Sequence, residues 1–418
     1  MMTGFSIAGT VLASITVFLL VMILLVVILL YARSKLIPEG NVRIQINDNI
    51  IDASPGSSLL STLSNSDIYL PSACGGSGTC GMCRCQVLEG GGAILPTETG
   101  FFTRREQHNN WRLGCQVKVR DNLIIKVPES ILGIKKMECT VVSNRNVATF
   151  IKEFVVKLPA DENLNFRSGE YIQIDIPPYK LDYSKDIYVE EQYRPDWDRY
   201  GLWSLKATNH EPTYRAYSMA NFPAEGNIIM LNVRIATPPF DNQKKSFKNV
   251  PPGISSSYIF SLKPGEKVTI SGPYGEFHIK DTQSEMVYIG GGAGMAPLRS
   301  HIFHLLRTQK TNRKITFWYG ARSKREIFYE EEFRELEAVF PNFKFNIALS
   351  EPAKEDNWSG YTGFIHKVLY DNYLSGLNEP ENIEYYLCGP PVMNQAVLAM
   401  LDNLGIPKEN IAYDDFGV

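Results

Sequence analysis

The sequence has almost no surplus of charge: 42 basic against 45 acidic side chains give a formal net charge of −3 over 418 residues. Without a basic excess there is nothing to hold a polyphosphate backbone, and a nucleic-acid partner is left out of the reading. Cysteine is scarce as well, at seven, an odd number that clusters instead of spreading along the chain. A chain of this length needs no stapling, so a secreted disulfide framework gives way to a reducing compartment. Neither an internal repeat nor a low-complexity tract is present, and the length asks for about two to four separate cores.

A further absence is local. From Phe5 to Ala32 no residue is charged, and Val17 to Leu30 is almost purely aliphatic. At ~1.5 Å per residue this run reaches roughly 40 Å, against a hydrocarbon core of ~30 Å, so it spans a bilayer with some tilt. A cleaved signal peptide would need a basic start and a small-x-small site. Residues 1–4 contain no Lys or Arg, and Tyr31-Ala32-Arg33-Ser34-Lys35 offers no such site. Arg33, Lys35 and Arg43 all follow the span, which places the large C-terminal part in the cytoplasm. We expect residues 1–35 to be a single-pass anchor with its helix at about 5–31.

What is abundant is concentrated in one stretch, Cys74-Gly75-Gly76-Ser77-Gly78-Thr79-Cys80-Gly81-Met82-Cys83, with Cys115 downstream in Leu113-Gly114-Cys115-Gln116. The pattern C-x5-C-x2-C with a distant cysteine is close to the plant-type spacing for a [2Fe–2S] cluster, one residue longer between the first pair. Glycines in such a loop permit positive φ and let N–H groups turn toward the cluster. Zinc is the competing reading, but it favours two CxxC knuckles, and only Cys80 with Cys83 makes one. Cys85, two positions on, reads as a small buried residue more readily than as a fifth ligand.

Around this loop, Val42-Arg43-Ile44-Gln45-Ile46 alternates as a half-buried strand, Ser57 to Leu63 can form a short helix, and Cys85 to Leu88, Gln116 to Val119 and Leu123 to Val127 read as strands. Residues 36–128 therefore form a small mixed domain that resembles a [2Fe–2S] ferredoxin. Residues 129–280 read as an antiparallel barrel, with strands at Cys139–Val142, Phe154–Leu158, near Arg167–Pro177, at Arg215–Ser218, Leu231–Ile235 and Gly265–Phe277, and with Pro251–Tyr258 among them. Cys139 is most simply core. Between Tyr179 and Tyr214 the pattern lapses into a stretch rich in Tyr, Trp and Asp, read as an insertion packed by its own aromatics, with a docking surface as the alternative. From 281 to 418 strand and helix alternate, which argues for a parallel sheet covered by helices.

Two turns at strand ends suit phosphate. Gly290-Gly291-Gly292-Ala293-Gly294-Met295-Ala296-Pro297 joins a strand to a helix N-terminus, an anion site that does not fit G-x-G-x-x-G. Cys388-Gly389-Pro390-Pro391 lies at the same carboxyl edge, where open α/β sheets bind ligands. Arg215-Ala216-Tyr217-Ser218 sets a guanidinium, a ring and a hydroxyl together, with Arg215 and Tyr217 on one face of a strand. Such a set suits a flavin dinucleotide, and Gly253-x-x-Ser256 and Phe416 strengthen it.

These motifs resemble the ferredoxin-NADP⁺ reductase superfamily: RxYS for FAD, G-x-x-S for its pyrophosphate, GPxG at the end of the barrel, a glycine-rich loop, and CGPP near nicotinamide. With the ferredoxin domain and the anchor, essentially the whole chain is similar to the family of F subunits of the Na⁺-translocating NADH:quinone oxidoreductases. The C-x5-C-x2-C loop, the insertion before RxYS and the ending Asp414-Asp415-Phe416-Gly417 carry that likeness. The resemblance implies a multidomain fold: a transmembrane helix, an α+β (β-grasp) ferredoxin, an antiparallel β-barrel for FAD and an α/β parallel-sheet domain for NADH. It implies that Cys74, Cys80, Cys83 and Cys115 hold the cluster. Arg215, Tyr217, Ser218, Asn232, Arg234, Gly253 and Ser256 would hold FAD, with Ser257 able to replace Ser256. Gly292, Ala293, Gly294, Met295 and Pro297 would cradle NADH, with Gly389 and Pro390 beside it. Ser218, Cys388 and Phe416 would stand at the reacting atoms, and Phe416 would cover the flavin until nicotinamide displaces it. Ser350-Glu351 stands where NADP⁺-using relatives place a basic residue, which favours NADH, although Arg322 and Lys324 are near.

The implied activity is NADH oxidation with hydride passing to FAD and single electrons leaving through the cluster to other membrane subunits of the complex and finally quinone, at a bacterial cytoplasmic (inner) membrane. Hydride carries two electrons and the cluster takes one at a time, so the flavin is the converter. One uncharged span cannot conduct Na⁺, which leaves pumping to other subunits. A reductase component of a monooxygenase, or a membrane-tethered redox sensor, are the alternatives.

Overall fold

The computed structural model describes residues 7–36, 40–241, 243 and 246–414. The chain divides into two compact units, residues 1–70 with 81–133, and residues 71–80 with 134–418.

The first unit opens on the helix Ile7–Leu36. It continues past the expected end at residue 31, because no breaker precedes Pro38, whose ring disfavours helical geometry in the residue before it. Residues 5 and 6 of the expected span lie outside the described residues. Within the helix, Val11–Tyr31 is long and apolar enough to cross a membrane and none of it is buried. Behind it five strands form a mixed sheet in the order Asn49–Ala53, Val42–Ile46, Leu123–Lys126, Arg84–Glu89, Trp111–Leu113. Val42, Ile44 and Ile46 are buried while Arg43 and Gln45 are exposed, as the alternation requires. The helix Leu59–Ser64 covers this apolar face, capped by Ser58, whose Oγ accepts from the Ser61 N–H at 3.2 Å.

One expected strand is absent. Gln116–Val119 is a turn and a short extended run whose only ladder contact is the isolated bridge Ser58–Lys118. Val117 and Val119 are buried, so the alternation there reports one-sided burial instead of ladder pairing. The edge position belongs to Trp111–Leu113, paired with Arg84–Gln86.

The second unit contains a six-stranded antiparallel sheet in the order Thr213–Ser218, Tyr171–Ile176, Lys267–Tyr274, Lys135–Ala148, Ile151–Lys157, Ile228–Arg234. A bridge between Met219 and Leu231 joins its two ends and closes the barrel. Asn144 and Asn146 lie inside the long strand Lys135–Ala148, paired with Phe154 and Lys152, and the register shifts fall at Val142 and Val147. Pro251–Tyr258 is not a barrel strand: after Gly253 the chain enters the helix Ile254–Ser261. Three consecutive serines carry no hydrophobic period, which hid this helix from the sequence.

The insertion is packed by its own aromatics. Tyr183 and Trp197 are fully buried, and Trp197 stacks at 6.1 Å on Phe260 while its Nε1 donates to the Thr149 carbonyl at 2.8 Å. Beyond the barrel, six parallel strands run in the order Tyr361–Thr362, Phe343–Leu349, Ile315–Ala321, Met286–Gly291, Glu384–Cys388, Ile411–Asp414. The inner ones are buried on both faces, which explains their near-continuous apolar sequences. Strand order reverses between Met286–Gly291 and Glu384–Cys388, which creates a crevice at their carboxyl ends.

Candidate functional site

None of the seven cysteines is in a disulfide. Cys74 and Cys80 bring their sulfurs to 3.3 Å, near the ~3.8 Å that two sulfurs on one tetrahedral metal adopt at ~2.3 Å bonds. The Cys80 thiol donates to Cys74 and holds it as a thiolate, lowered to about 2. In the first unit, Cys83 Sγ accepts the Cys115 N–H at 3.5 Å and Cys115 Sγ accepts from Gln116 Nε2 at 3.6 Å. These are donor sets suited to a cluster: anionic sulfur, N–H groups directed at sulfur, and four glycines (75, 76, 78 and 81) at positive φ. Among the described residues no three His, Cys, Asp or Glu side chains close on one point. Cys85 and Cys139 are buried, and burial raises both thiols to about 12, which keeps them protonated and unfit as ligands.

Gly75 also brings the 71–80 loop against the strand Thr213–Ser218. A Cβ there would overlap the Arg215 guanidinium and the Thr213 hydroxyl.

On that strand, Arg215 pairs with Ile174 and Tyr217 with Ile172, so both side chains share a face as expected. Tyr217 OH donates to Ser255 Oγ at 2.9 Å, which ties the ring to the N-terminal turn of the helix Ile254–Ser261. Gly253 is the N-cap, and a Cβ there would overlap Ala236. Ser256 Oγ accepts the Ala236 N–H at 3.0 Å. Ser257 is fully buried, its hydroxyl 2.6 Å from the Gly253 carbonyl and 2.7 Å from Tyr183 OH. It is engaged by the insertion's Tyr183 instead of by Tyr217. Arg215 Nη1 donates to the Thr213 hydroxyl and the Tyr214 carbonyl at 3.0 and 2.7 Å. Ser218 Oγ donates to Asp414 Oδ2 at 2.8 Å. Phe416 lies outside the described residues.

Asn232 stands apart from this group. Its Nδ2 donates to Tyr329 OH at 2.7 Å, and that hydroxyl donates to Glu153 at 2.7 Å. Tyr329 adopts φ 59°, a left-handed conformation unusual for an aromatic residue. Sequence reasoning missed Ser255 and Tyr329: the serine run marked the first, and no signal marked the second.

The crevice of the parallel sheet opens into a cavity of about 800 Å³. Gly291, Gly292, Arg322, Glu351 and Pro390 line it from the sheet's carboxyl edge, and Arg234 from the barrel. The turn Gly292–Gly294 feeds the helix Met295–Phe303, whose N-terminal dipole end favours an anion. Gly294 has no room for a side chain, since a Cβ would overlap the Cys388 carbonyl. That contact holds the two turns together, and Cys388 itself is fully buried.

A thiol-rich ferredoxin sheet, a barrel bearing a flavin-type motif and a parallel sheet with a dinucleotide-type crevice define the class of flavo-iron–sulfur reductases. Family models agree: residues 42–120 match a 2Fe-2S iron-sulfur cluster binding domain, 202–279 an oxidoreductase FAD-binding domain and 288–398 an oxidoreductase NAD-binding domain. The cofactors are thus a 2Fe-2S cluster, FAD and a nicotinamide nucleotide. Two solved structures share the fold: an Amycolatopsis cytochrome P450 reductase, with TM-score 0.61 and 22% identity over 90% of this chain and 98% of that one, and a ferredoxin reductase in carbazole 1,9a-dioxygenase, with TM-score 0.59 and 24% identity over the same shares. The F subunit of the Na(+)-translocating NADH-quinone reductase of Methylococcus capsulatus is 57% identical over 96% of this chain and 97% of its own. The corresponding F subunits of Neisseria meningitidis and Pseudomonas aeruginosa are 54% and 53% identical over 96% and 94% of this chain and 98% and 95% of theirs. The chain belongs to the family of Na(+)-translocating NADH-quinone reductase F subunits.

Proposed function

We propose that this chain is the electron-input subunit of a Na⁺-translocating NADH:quinone oxidoreductase, anchored by one span with its catalytic parts in the cytoplasm and docked on other membrane subunits. In this reading residues 1–35 are the anchor, 36–128 the ferredoxin domain, 129–280 the FAD domain and 281–418 the NADH domain. The observation that carries it is the shared cavity, where the glycine turn at 292, the Pro390 turn and Arg234 of the barrel face one space. A nucleotide bound there would span from the sheet's carboxyl edge to Arg234 of the barrel. FAD, when bound, would supply the two-electron to one-electron conversion that hydride oxidation and a one-electron cluster require.

The residues divide the work. Gly292, Ala293, Gly294, Met295 and Pro297 hold the NADH pyrophosphate, with Gly389 and Pro390 on its other side and Cys388 beside nicotinamide. Arg215 with Gly253 and Ser256 takes the FAD pyrophosphate and Tyr217 supports the ring system, whereas Asn232 is taken up by Tyr329 and Arg234 lines the cavity. Ser218, whose hydroxyl donates to Asp414, stands at the flavin. Cys74, Cys80, Cys83 and Cys115 hold the cluster. Glu351 repels a 2′-phosphate, which favours NADH over NADPH. The helix Ile7–Leu36 weighs against a monooxygenase reductase, for which an anchor has no use.

The test is purification of the tagged chain from native membranes in mild detergent, with NADH:quinone activity assayed with and without Na⁺. Several co-purifying polytopic subunits and a Na⁺-stimulated rate support the reading. A lone flavo-iron–sulfur protein indifferent to Na⁺ refutes it. In the same preparation Cys115→Ser should abolish the reduced-cluster electron paramagnetic resonance signal and quinone reduction, while NADH:ferricyanide activity through the flavin persists.

A further inference from the structure

The far wall of the cavity does not come from the NADH domain. Asp196, Arg199 and Tyr200, on the insertion helix Arg194–Tyr200, line it together with Arg322 and Glu351. The helix is fixed in place: Trp197 is fully buried and bonded to Thr149, and Gly201 ends the helix at φ 66°, a left-handed C-cap. The ring of Tyr200 packs edge-on against Phe150 at 5.9 Å. Two contacts then cross to the NADH domain. Asp196 Oδ2 meets Arg325 Nη1 at 3.3 Å, and Tyr200 OH accepts from Arg322 Nη1 at 3.4 Å, while Arg322 Nε donates to Glu351 Oε2 at 2.8 Å.

Exposed ion pairs of this kind contribute little to stability, and the Arg322 and Glu351 side chains are 59% and 65% exposed. Stability is a weak account of the arrangement. Its clear effect is on charge: Arg322, bonded to Glu351 and Tyr200, and Arg325, paired with Asp196, are both already engaged. Nucleotide sites that accept a 2′-phosphate do so with an arginine free to make charge-assisted, bidentate hydrogen bonds.

We propose that the insertion helix is a specificity element of the nucleotide cleft: Asp196 and Tyr200 engage Arg325 and Arg322 on the cavity wall, so the cleft accepts a ribose diol and denies a 2′-phosphate its partner. The inference rests on the reading of this cavity as the dinucleotide site. Selectivity would then be set from outside the domain that binds the nucleotide.

The experiment compares the full-length, detergent-solubilised protein with Tyr200→Phe, Asp196→Asn and the double variant. One readout is the ratio of kcat/KM for NADPH to that for NADH with ferricyanide as acceptor, and the other is calorimetric binding of 2′,5′-ADP and 5′-ADP. The double variant should raise the ratio by at least about tenfold, mainly through KM for NADPH. It should tighten 2′,5′-ADP and not 5′-ADP, and the gain should vanish when Arg322 and Arg325 are both replaced by alanine. A ratio that stays within about twofold of the parent, or a gain that survives loss of both arginines, overturns the proposal while 5′-ADP binding leaves the cleft reading intact. If 5′-ADP does not bind the parent protein, the cleft reading fails and this inference fails with it.

Discussion

Gly294 shows how little tolerance the site has at the scale of one residue. Its missing side chain lets the glycine turn rest on the Cys388 carbonyl, and the obstacle to any Cβ is backbone, which cannot swing aside. Gly294→Ala must therefore push the two turns apart, and a displacement of ~1 Å at a reacting centre costs on the order of 10²-fold. Stopped-flow reduction of the flavin by NADH should slow by about that factor, while dithionite still reduces the cluster to full signal. A normal rate would mean that the turns do not meet across the nucleotide. The same closeness explains which residues were legible. Glycines and cysteines announce themselves because few residues can replace them. Pairings between distant positions do not: Tyr329 with Asn232 and Asp414 with Ser218 are joined across 97 and 196 positions, and no local spacing reports them.

Among the elements, the helix Ile254–Ser261 depends on what closes its far end. Asn144 Nδ2 donates to the carbonyls of Ile259 and Leu262 at 2.6 and 2.8 Å, and Lys152 Nζ reaches the Phe260 carbonyl at 3.5 Å. These last carbonyls carry the negative end of the helix dipole, which suits a cation. Lys152 is 1% exposed, and burial lowers its ammonium from 10.5 to about 8. Between those two values the unfolded chain holds a proton that the folded protein has released, so stability rises with pH across this window. Below about pH 8 both states are charged and the deficit is constant. Lys152→Met removes the titration, so the stability difference between variant and parent should fall by roughly 2–4 kcal/mol from pH 8 to 10.5. Urea midpoints measured at both pH values test this, and parallel curves would show that Lys152 does not titrate there. This helix was the element that sequence reading misplaced, because its period is invisible in Ser255-Ser256-Ser257. The inner strands of the parallel sheet were legible because burial on both faces leaves them apolar, whereas the edge strands Tyr361–Thr362 and Ile411–Asp414 are not so buried and were not read.

At the scale of the molecule, the barrel and the parallel sheet of the second unit are joined by buried polar contacts. Arg299 is paired with Glu225 at 2.8 Å and Glu332 at 2.7 Å, and Tyr329 is bonded to Glu153. Breaking one partner of such a buried pair costs ~3–5 kcal/mol. Glu225→Gln should therefore lower the thermal transition of the flavin-binding part by several degrees, read by release of FAD fluorescence, with a smaller shift in the cluster's visible spectrum. The helix Ile7–Leu36 makes the opposite prediction, since none of its span Val11–Tyr31 is buried. Removing residues 1–36 should move the protein to the soluble fraction, keep NADH:ferricyanide activity within about twofold, and abolish quinone reduction in reconstituted membranes, because tethering supplies the local concentration of the partner. Loss of ferricyanide activity on truncation would make the helix part of the catalytic fold.

Sequence alone determined the chemistry that rests on covalent spacing: the thiol loop, the uncharged span, the flavin strand and the glycine turn, each set by neighbours within a few residues. It also determined the order of modules, since the hydrophobic period changes from two to alternating strand and helix along the chain. Only the tertiary structure decided which side chains meet. It placed Ser255 on Tyr217 and Tyr183 on Ser257, sent Asn232 into a buried network, and turned the aromatic insertion into a wall of the cavity at the sheet's carboxyl edge. The reason is physical: spacing fixes what a short segment can do, whereas contacts between distant segments are fixed by how whole faces pack.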